Sequence, residues 1–257
     1  MSAAPLSGRG IVITRPREHA SALAERIRAA GGDPILFPTI DILPPEDRDA
    51  VSRIVARLEG FRLAIFVSPT AVLRAHALVS ASRSWPEGLR IAAVGAGTAK
   101  ALAERGFCDV ISPEGGADSE ALAALAELQE LRGQTVVIFR GQGGREWLGG
   151  ELEARGARVE YAECYRRARP EADPSALLAR WQAGGVDAVS ITSAEGLANL
   201  FAMLGPTGGR YLRATPVFVP HPRIEFAARE RDVREIIVTG RGDERTVAEI
   251  AAFFARV

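Results

Sequence analysis

The chain has few cysteines, few histidines and almost no lysine. Cys108 and Cys164 form no CxxC pair, and His19, His76 and His221 are scattered, so no metal-ligand spacing is present and a structural zinc site is not expected. No apolar run approaches the roughly 18 residues that span a bilayer, and the leader Met1–Gly8 lacks the apolar core of a signal peptide; a reducing cytoplasm is the expected compartment. Formal net charge is zero, which removes any global field that would gather nucleic acid or an anionic membrane.

Familiar motifs are missing too. Gly95-Ala-Gly97-Thr-Ala-Lys100 carries Lys where a dinucleotide fingerprint needs its third glycine, and no GxxxxGK occurs. A phospho-receiver needs acids after its first and third strands, whereas Arg15 follows the first strand here. Neither a Gly-x-Ser-x-Gly elbow nor His-Glu-x-x-His is found.

What the chain does contain is a repeat. At a shift of 125 residues Gly8, Arg15, Leu23, Ile27 and Gly31 fall on Gly133, Arg140, Leu148, Leu152 and Gly156. The same shift lays Leu63–Ser68 over Ala188–Ser193, Ile91–Val94 over Pro216–Val219, Ile111 over Ile236 and Asp118 over Asp243. A constant offset without gaps argues for an internal duplication, and 257 residues suffice for two domains of ordinary size.

Each copy reads as strand, arginine-tipped loop, helix, strand. Continuous apolar runs at Ile11–Thr14, Leu63–Val67, Ile91–Val94, Val136–Phe139, Ala188–Ile191, Val217–Val219 and Ile236–Val238 predict strands of a parallel α/β sheet buried on both faces. Between them helix-period segments are expected at 18–30, at 46–59, from Asp118 through Leu122, Leu125 and Leu128, at 145–155 with Trp147, Leu148 and Leu152 buried, after Asp173-Pro174, and from Asp243. Two proline-marked extended stretches, 34–45 and 159–173, match across the copies. The chain then either forms tandem domains, 1–125 and 126–257, or leaves one domain, builds the other and returns.

Ligands of open parallel sheets bind beyond the carboxyl ends of the strands, where helix amino termini present unpaired N–H groups. Those ends read Thr14-Arg15-Pro16, Ser68-Pro69-Thr70, Gly95-Ala-Gly97-Thr98, Arg140-Gly141, Thr192-Ser193 and His221-Pro222-Arg223, with no carboxylate among them. A ligand with several negative groups suits that set. Of 32 basic residues only Lys100 is lysine; base composition of the genome accounts for the arginine total, while arginine positions at these ends suit two-point recognition of carboxylates or phosphates. Each residue also has a plainer role: Ser68 and Ser193 as helix caps, Thr98 as a helix starter, His221 as structural, Arg15 and Arg140 as solvated edge charges, and Tyr165 as a half-buried strand residue.

In order and spacing, Val12-Ile-Thr-Arg-Pro16, Phe66-Val-Ser-Pro69, Ala93-Val-Gly95 with Thr98, Ser119-Glu120, Phe139-Arg-Gly141 with Arg145, Val159 to Tyr165-Arg166 and Thr192-Ser193 resemble the uroporphyrinogen-III synthase family over nearly the whole chain. The resemblance implies two flavodoxin-like parallel-sheet domains joined by a two-stranded linker. Residues 1–37 plus 170–257 form the first, discontinuous domain, 45–160 the second, and 38–44 and 161–169 the linkers. It implies a cyclising lyase that converts hydroxymethylbilane, a linear tetrapyrrole with eight carboxylates, into uroporphyrinogen III. Loss of the terminal hydroxyl gives an azafulvene cation, and ring D inverts through a spiro intermediate. No metal or organic cofactor is implied, nor a nucleic-acid or membrane partner, and a monomer is expected.

Residue by residue, Tyr165 matches the family tyrosine at the interdomain cleft, where it would assist departure of the hydroxyl. Thr98 matches a family threonine facing that cleft. Ser68, Thr192, Ser193 and Gly141, with neighbouring amides, and Arg15, Arg140 and Arg145 would bind acetate and propionate groups. The chain departs from the family pattern at Arg223, where a hydroxyl residue is usual, and at Val67, where Thr is common. The rival reading is a non-catalytic two-domain binder or sensor of an anionic metabolite.

Overall fold

The computed structural model describes residues 4–116 and 118–256, so the first three residues of the leader lie outside the described residues. In chain order the elements are β1 (Gly10–Ile13), α1 (Ser21–Ala29), β2 (Asp33–Leu36), β3 (Asp41–Leu43), α2 (Arg48–Val55), β4 (Leu63–Phe66), α3 (Pro69–Ser80), β5 (Arg90–Ala93), α4 (Ala96–Ala103) and β6 (Val110–Ile111). They continue with α5 (Ser119–Ala123), β7 (Thr135–Gly141), α6 (Trp147–Ala154), β8 (Arg158–Ala168), α7 (Ser175–Gln182), β9 (Ala188–Ser190), α8 (Ala194–Ala214), β10 (Val217–Val219), α9 (Pro222–Arg229), β11 (Ile236–Val238) and α10 (Asp243–Phe254).

Two compact units result, one comprising the chain up to Asp41 and from Ala168 onward, the other Ile42–Arg167. The first holds a sheet in the order β11-β10-β9-β1-β2 with all its pairs parallel. Numbered within the unit, that order is 2-1-3-4-5, the flavodoxin-like arrangement. The second unit's sheet runs β3-β8-β7-β4-β5-β6. Setting β3 aside, it is the same order entered at a different strand, because β7 and β8 take the places of β1 and β2. β3 lies beside β8, so the strands leading into and out of this unit are neighbours.

The duplication reaches the pairing register. Ile11 faces Pro34 and Ala188 in the first sheet; 125 residues away, Val136 faces Val159 and Leu63 in the second. Val217 with Ile236 repeats Ala92 with Ile111, while the remaining pairing, β9 with β10, is one residue out of step with β4 and β5. Each sheet is covered on both faces, which is why its strands are apolar without alternation. In the first unit Leu177, Leu197, Leu200 and Ile224 from α7, α8 and α9 pack on one face and Leu23, Ile27 and Ile250 from α1 and α10 on the other. In the second, Val51, Val72 and Leu102 from α2, α3 and α4 oppose Leu122, Leu148 and Leu152 from α5 and α6.

Two local expectations change, and one matched pair divides its work. The helix after Asp118 stops at Ala123; Leu125 turns extended and a short 3-10 turn, Ala126–Leu128, follows, so Leu128 is buried from a separate turn. Trp147 is 37% exposed rather than buried, with the Arg145 guanidinium 5.3 Å from its ring centroid. The matched acids Asp118 and Asp243 do different jobs: Asp118 accepts from Ala121 N at 2.8 Å as a cap, whereas α10 is capped at Gly242 and Asp243 is held by an arginine.

The serine caps, by contrast, are duplicated faithfully. Ser68 Oγ accepts from Ala71 N at 3.1 Å at the start of α3, and Ser193 Oγ accepts from Gly196 N at 2.9 Å at the start of α8. Removing the Ser193 hydroxyl orphans a helix amide, so Ser193→Ala is expected to cost about 1 kcal/mol in urea unfolding, with an unchanged m-value. An unaltered midpoint would remove the cap from the fold's support.

Candidate active site

At the carboxyl edge of the second sheet, the ends of β4 and β7 and the middle of β8 bring Ser68, Gly141 and Tyr165 together. Tyr165 is 1% exposed, and its hydroxyl lies 3.3 Å from Ser68 Oγ. A Cβ built on Gly141 would stand 2.7 Å from two atoms of the Tyr165 ring. Ser68 is half-buried. Its oxygen already accepts from Ala71 N, so one lone pair is taken and its proton remains available for donation. Thr98 is buried in the first turn of α4, where its N–H donates to Gly95 O at 2.9 Å.

The three arginines read as carboxylate anchors all have carboxylate partners, supplied by elements outside the strand-end segments. Arg140, buried, donates through Nη2 and Nε to Glu163 at 3.0 and 3.2 Å and lies 4.2 Å from the Tyr161 ring centroid. Arg15 meets Asp243 at 2.5 Å, and Arg145 meets Glu120 at 2.6 Å on the surface. Partial burial holds the Tyr161 phenol above its ordinary value, against an opposing pull from Arg140.

At the corresponding edge of the first sheet Thr192 and Ser193 are half-buried and Arg223 is exposed. His221 is a cap: its Nδ1 accepts from Arg223 N at 3.1 Å. No ion pair of the Arg223 side chain occurs among the described residues. Sequence reasoning missed the hydroxyl ladder behind this edge. Thr14 Oγ1 donates to Ser190 O at 2.8 Å, Thr39 Oγ1 donates to Thr14 O at 3.1 Å, and Asn199 Nδ2 donates to Thr39 O at 2.9 Å. The signal available was a threonine directly after the first apolar run, Thr14, and another shortly after the second extended run, Thr39; the structure buries both.

A family model described as uroporphyrinogen-III synthase HemD matches residues 21–244. The chain belongs to the uroporphyrinogen-III synthase family. It is 36% identical over 236 residues to the uroporphyrinogen-III synthase of Salmonella typhimurium, a match that covers 91% of this chain and 96% of the relative. The Escherichia coli uroporphyrinogen-III synthase is 34% identical with the same coverage. Among solved structures, a mutant uroporphyrinogen III synthase from Thermus thermophilus superimposes with a TM-score of 0.62 at 19% identity, covering 97% of this chain and all of that one. The Helicobacter pylori uroporphyrinogen-III synthetase gives 0.60 at 14%, over 95% and 99%. These two likenesses bear on the fold. Membership of the synthase family makes the chain an enzyme, a cyclising lyase of tetrapyrrole biosynthesis, and does not favour the binder or sensor. None of the described helices is long and apolar enough to cross a membrane.

Cys164, next to Tyr165, is chemically quiet. Burial pushes its thiol up to about 12, and its Sγ–H donates to Arg140 O at 3.3 Å. Cys108 is exposed. Because the thiolate is the reactive form, a thiol reagent at pH 8 is expected to label one cysteine, Cys108, in the folded protein and both in urea. A raised folded-state value also means that stability is full below the unfolded thiol's ordinary value, near 8.5, and is lost as pH climbs through about 12, so Cys164→Ala should flatten the alkaline limb of a stability profile. Two labelled cysteines before unfolding would contradict the burial of Cys164.

Proposed function

We propose that this chain converts hydroxymethylbilane to uroporphyrinogen III with Tyr165 and Ser68 acting as one proton-handling pair. The observation that supports it is the 3.3 Å contact of the two hydroxyls at the amino end of α3, where the helix favours negative charge. Tyr165 is almost wholly covered, so Ser68 is the end of the pair open to a substrate. The terminal hydroxyl of the substrate takes a proton and leaves as water, and the azafulvene cation forms. The substituted carbon of ring D then closes the spiro intermediate, which reopens and re-joins with ring D reversed; the ring proton lost at the end restores the pair. Spontaneous closure competes without inversion, so the protein must lower the barrier to the spiro route below that of direct closure, at about 1.4 kcal/mol per factor of ten in product ratio.

Carboxylate recognition is assigned by what each group has left to give. Arg223, exposed and without an ion pair among the described residues, and the amides at Thr192-Ser193 serve as anchors on the first unit. Arg145, exposed and paired only at the surface, serves on the second, with Thr98 close to the helix amides of α4. Arg15 and Arg140 keep substrate-binding roles only by exchanging their present partners. Residues 38–44 and 161–169 act as linkers, and the enzyme works as a cytoplasmic monomer without nucleic-acid partners.

The test is an assay fed with freshly generated hydroxymethylbilane, followed by separation of the type I and type III porphyrin isomers. Wild-type protein is expected to give type III in large excess. Tyr165→Phe should lower the rate of type III formation about a hundredfold, with the melting temperature within a few degrees of wild type. A variant as fast as wild type would remove Tyr165 from the reaction. Arg223→Ala should raise KM several-fold while leaving kcat near wild type, the mark of an interaction made equally in ground and transition states; an unchanged KM would free Arg223 of its anchoring role.

A further inference from the structure

The pairing of β7 with β8 runs without interruption from Thr135 opposite Arg158 to Arg140 opposite Glu163, and the next pair is Gly141 with Tyr165. Cys164 is therefore an extra residue, a bulge, which is rare between parallel strands and commonly re-aims a side chain. Its effect follows from the alternation of strand side chains. Val159 and Tyr161 pack on the α5 and α6 face, and Ala162 and Cys164 on the α2 and α3 face. Strict alternation would return Tyr165 to the face of Tyr161. Instead it sits in the same cluster as Ala162 and Cys164, beside Ser68. The bulge is held by Cys164 Sγ–H donating to Arg140 O at 3.3 Å and by Gln142 N donating to Tyr165 O at 2.8 Å.

The re-aimed ring needs space, and Gly141 supplies it. Alternation along β7 places Val137 and Phe139 on the α2 and α3 face, so a side chain at 141 would point the same way. Its first carbon would lie 2.7 Å from Cε2 and Cζ and 3.0 Å from the hydroxyl oxygen of Tyr165. Carbon atoms rest about 3.5 Å or more apart, so the ring would have to retreat by the better part of an ångström.

We propose that Gly141, acting with the extra residue Cys164, is a positioning residue for Tyr165: it serves the reaction by leaving room for the tyrosine hydroxyl at Ser68 rather than by touching substrate. This rests on the reading of Tyr165 as part of the proton-handling pair. The register shift is what makes the requirement specific, since Tyr165 faces position 141 only because of Cys164.

A double-mutant cycle tests it, using Gly141→Ala, Tyr165→Phe and the two combined, with kcat, KM and melting temperature measured for each. Phenylalanine keeps the ring, whose carbons make the two nearest contacts, and loses only the hydroxyl, so the loss of stability from the new methyl group should be similar in both backgrounds. The kinetic loss should not. In the tyrosine background Gly141→Ala is expected to lower kcat ten- to a hundredfold with little change in KM, and in the phenylalanine background by no more than about twofold. Wild-type kcat in Gly141→Ala, or an equal kinetic loss in both backgrounds, overturns the proposal. Wild-type kcat in Tyr165→Phe overturns the underlying reading of Tyr165 instead, a separately visible result. Should Gly141→Ala fail to fold, Tyr165→Ala is added to it: recovery of the folded state identifies the ring as the obstacle, and failure to recover overturns the proposal.

Discussion

The register of β7 against β8 is the constraint on which the arrangement of the second unit's carboxyl edge depends. A parallel sheet fixes which side chains share a face, and a slip of one residue exchanges the faces. Up to Glu163 the alternation holds, and Arg140 with Glu163 fastens it one residue before β7 ends. One inserted residue then delivers Tyr165 to the amino end of α3. In the first unit the matching ladder of β1 with β2 ends at Ile13 opposite Leu36, and the chain after β2 passes through Phe37 and Thr39 into the hydroxyl ladder. Two copies of one fold thus carry unlike carboxyl edges.

That difference explains which parts of the structure were legible. The duplication could be read because register is enforced over many residues by burial on both faces, so Gly8 and Gly133, or Ser68 and Ser193, stay at one spacing. The serine caps were legible because a hydroxyl before a helix has few other local uses. The bulge at Cys164 was not: it adds a residue inside β8 where β7 is ending, so a single pair, Gly141 with Tyr165, records the slip. Trp147 misled for a related reason, since helical spacing says which residues share a face but not whether a residue in the first turn is covered.

The arginines show the limit of reading charge from position. The strand-end segments contain no acid, yet Glu163 arrives from the neighbouring strand, Asp243 from α10 and Glu120 from α5. Sequence separations of 23 residues for Arg140 with Glu163 and 228 for Arg15 with Asp243 show why no local motif announces such pairs. With 32 acidic side chains for 32 basic ones, acids remote in sequence are as numerous as the arginines they can meet.

Magnitudes then sort the arginines as candidates for a polyanion. An exposed ion pair contributes between about 0 and 1 kcal/mol, so displacing Glu120 from Arg145 costs a substrate carboxylate almost nothing, and Arg223 demands no displacement. Arg140 differs: it is 4% exposed, and stripping the partner from a buried charge costs on the order of 3 kcal/mol or more. A substrate carboxylate that took Glu163's place would also loosen the residue beside the bulge, and with it the aim of Tyr165. The energetic argument and the positional one therefore agree that Arg140 suits the framework, that exposed guanidinium groups and helix amides have more to give an added carboxylate, and that Arg15, with its pair 18% and 20% exposed, stands between these cases.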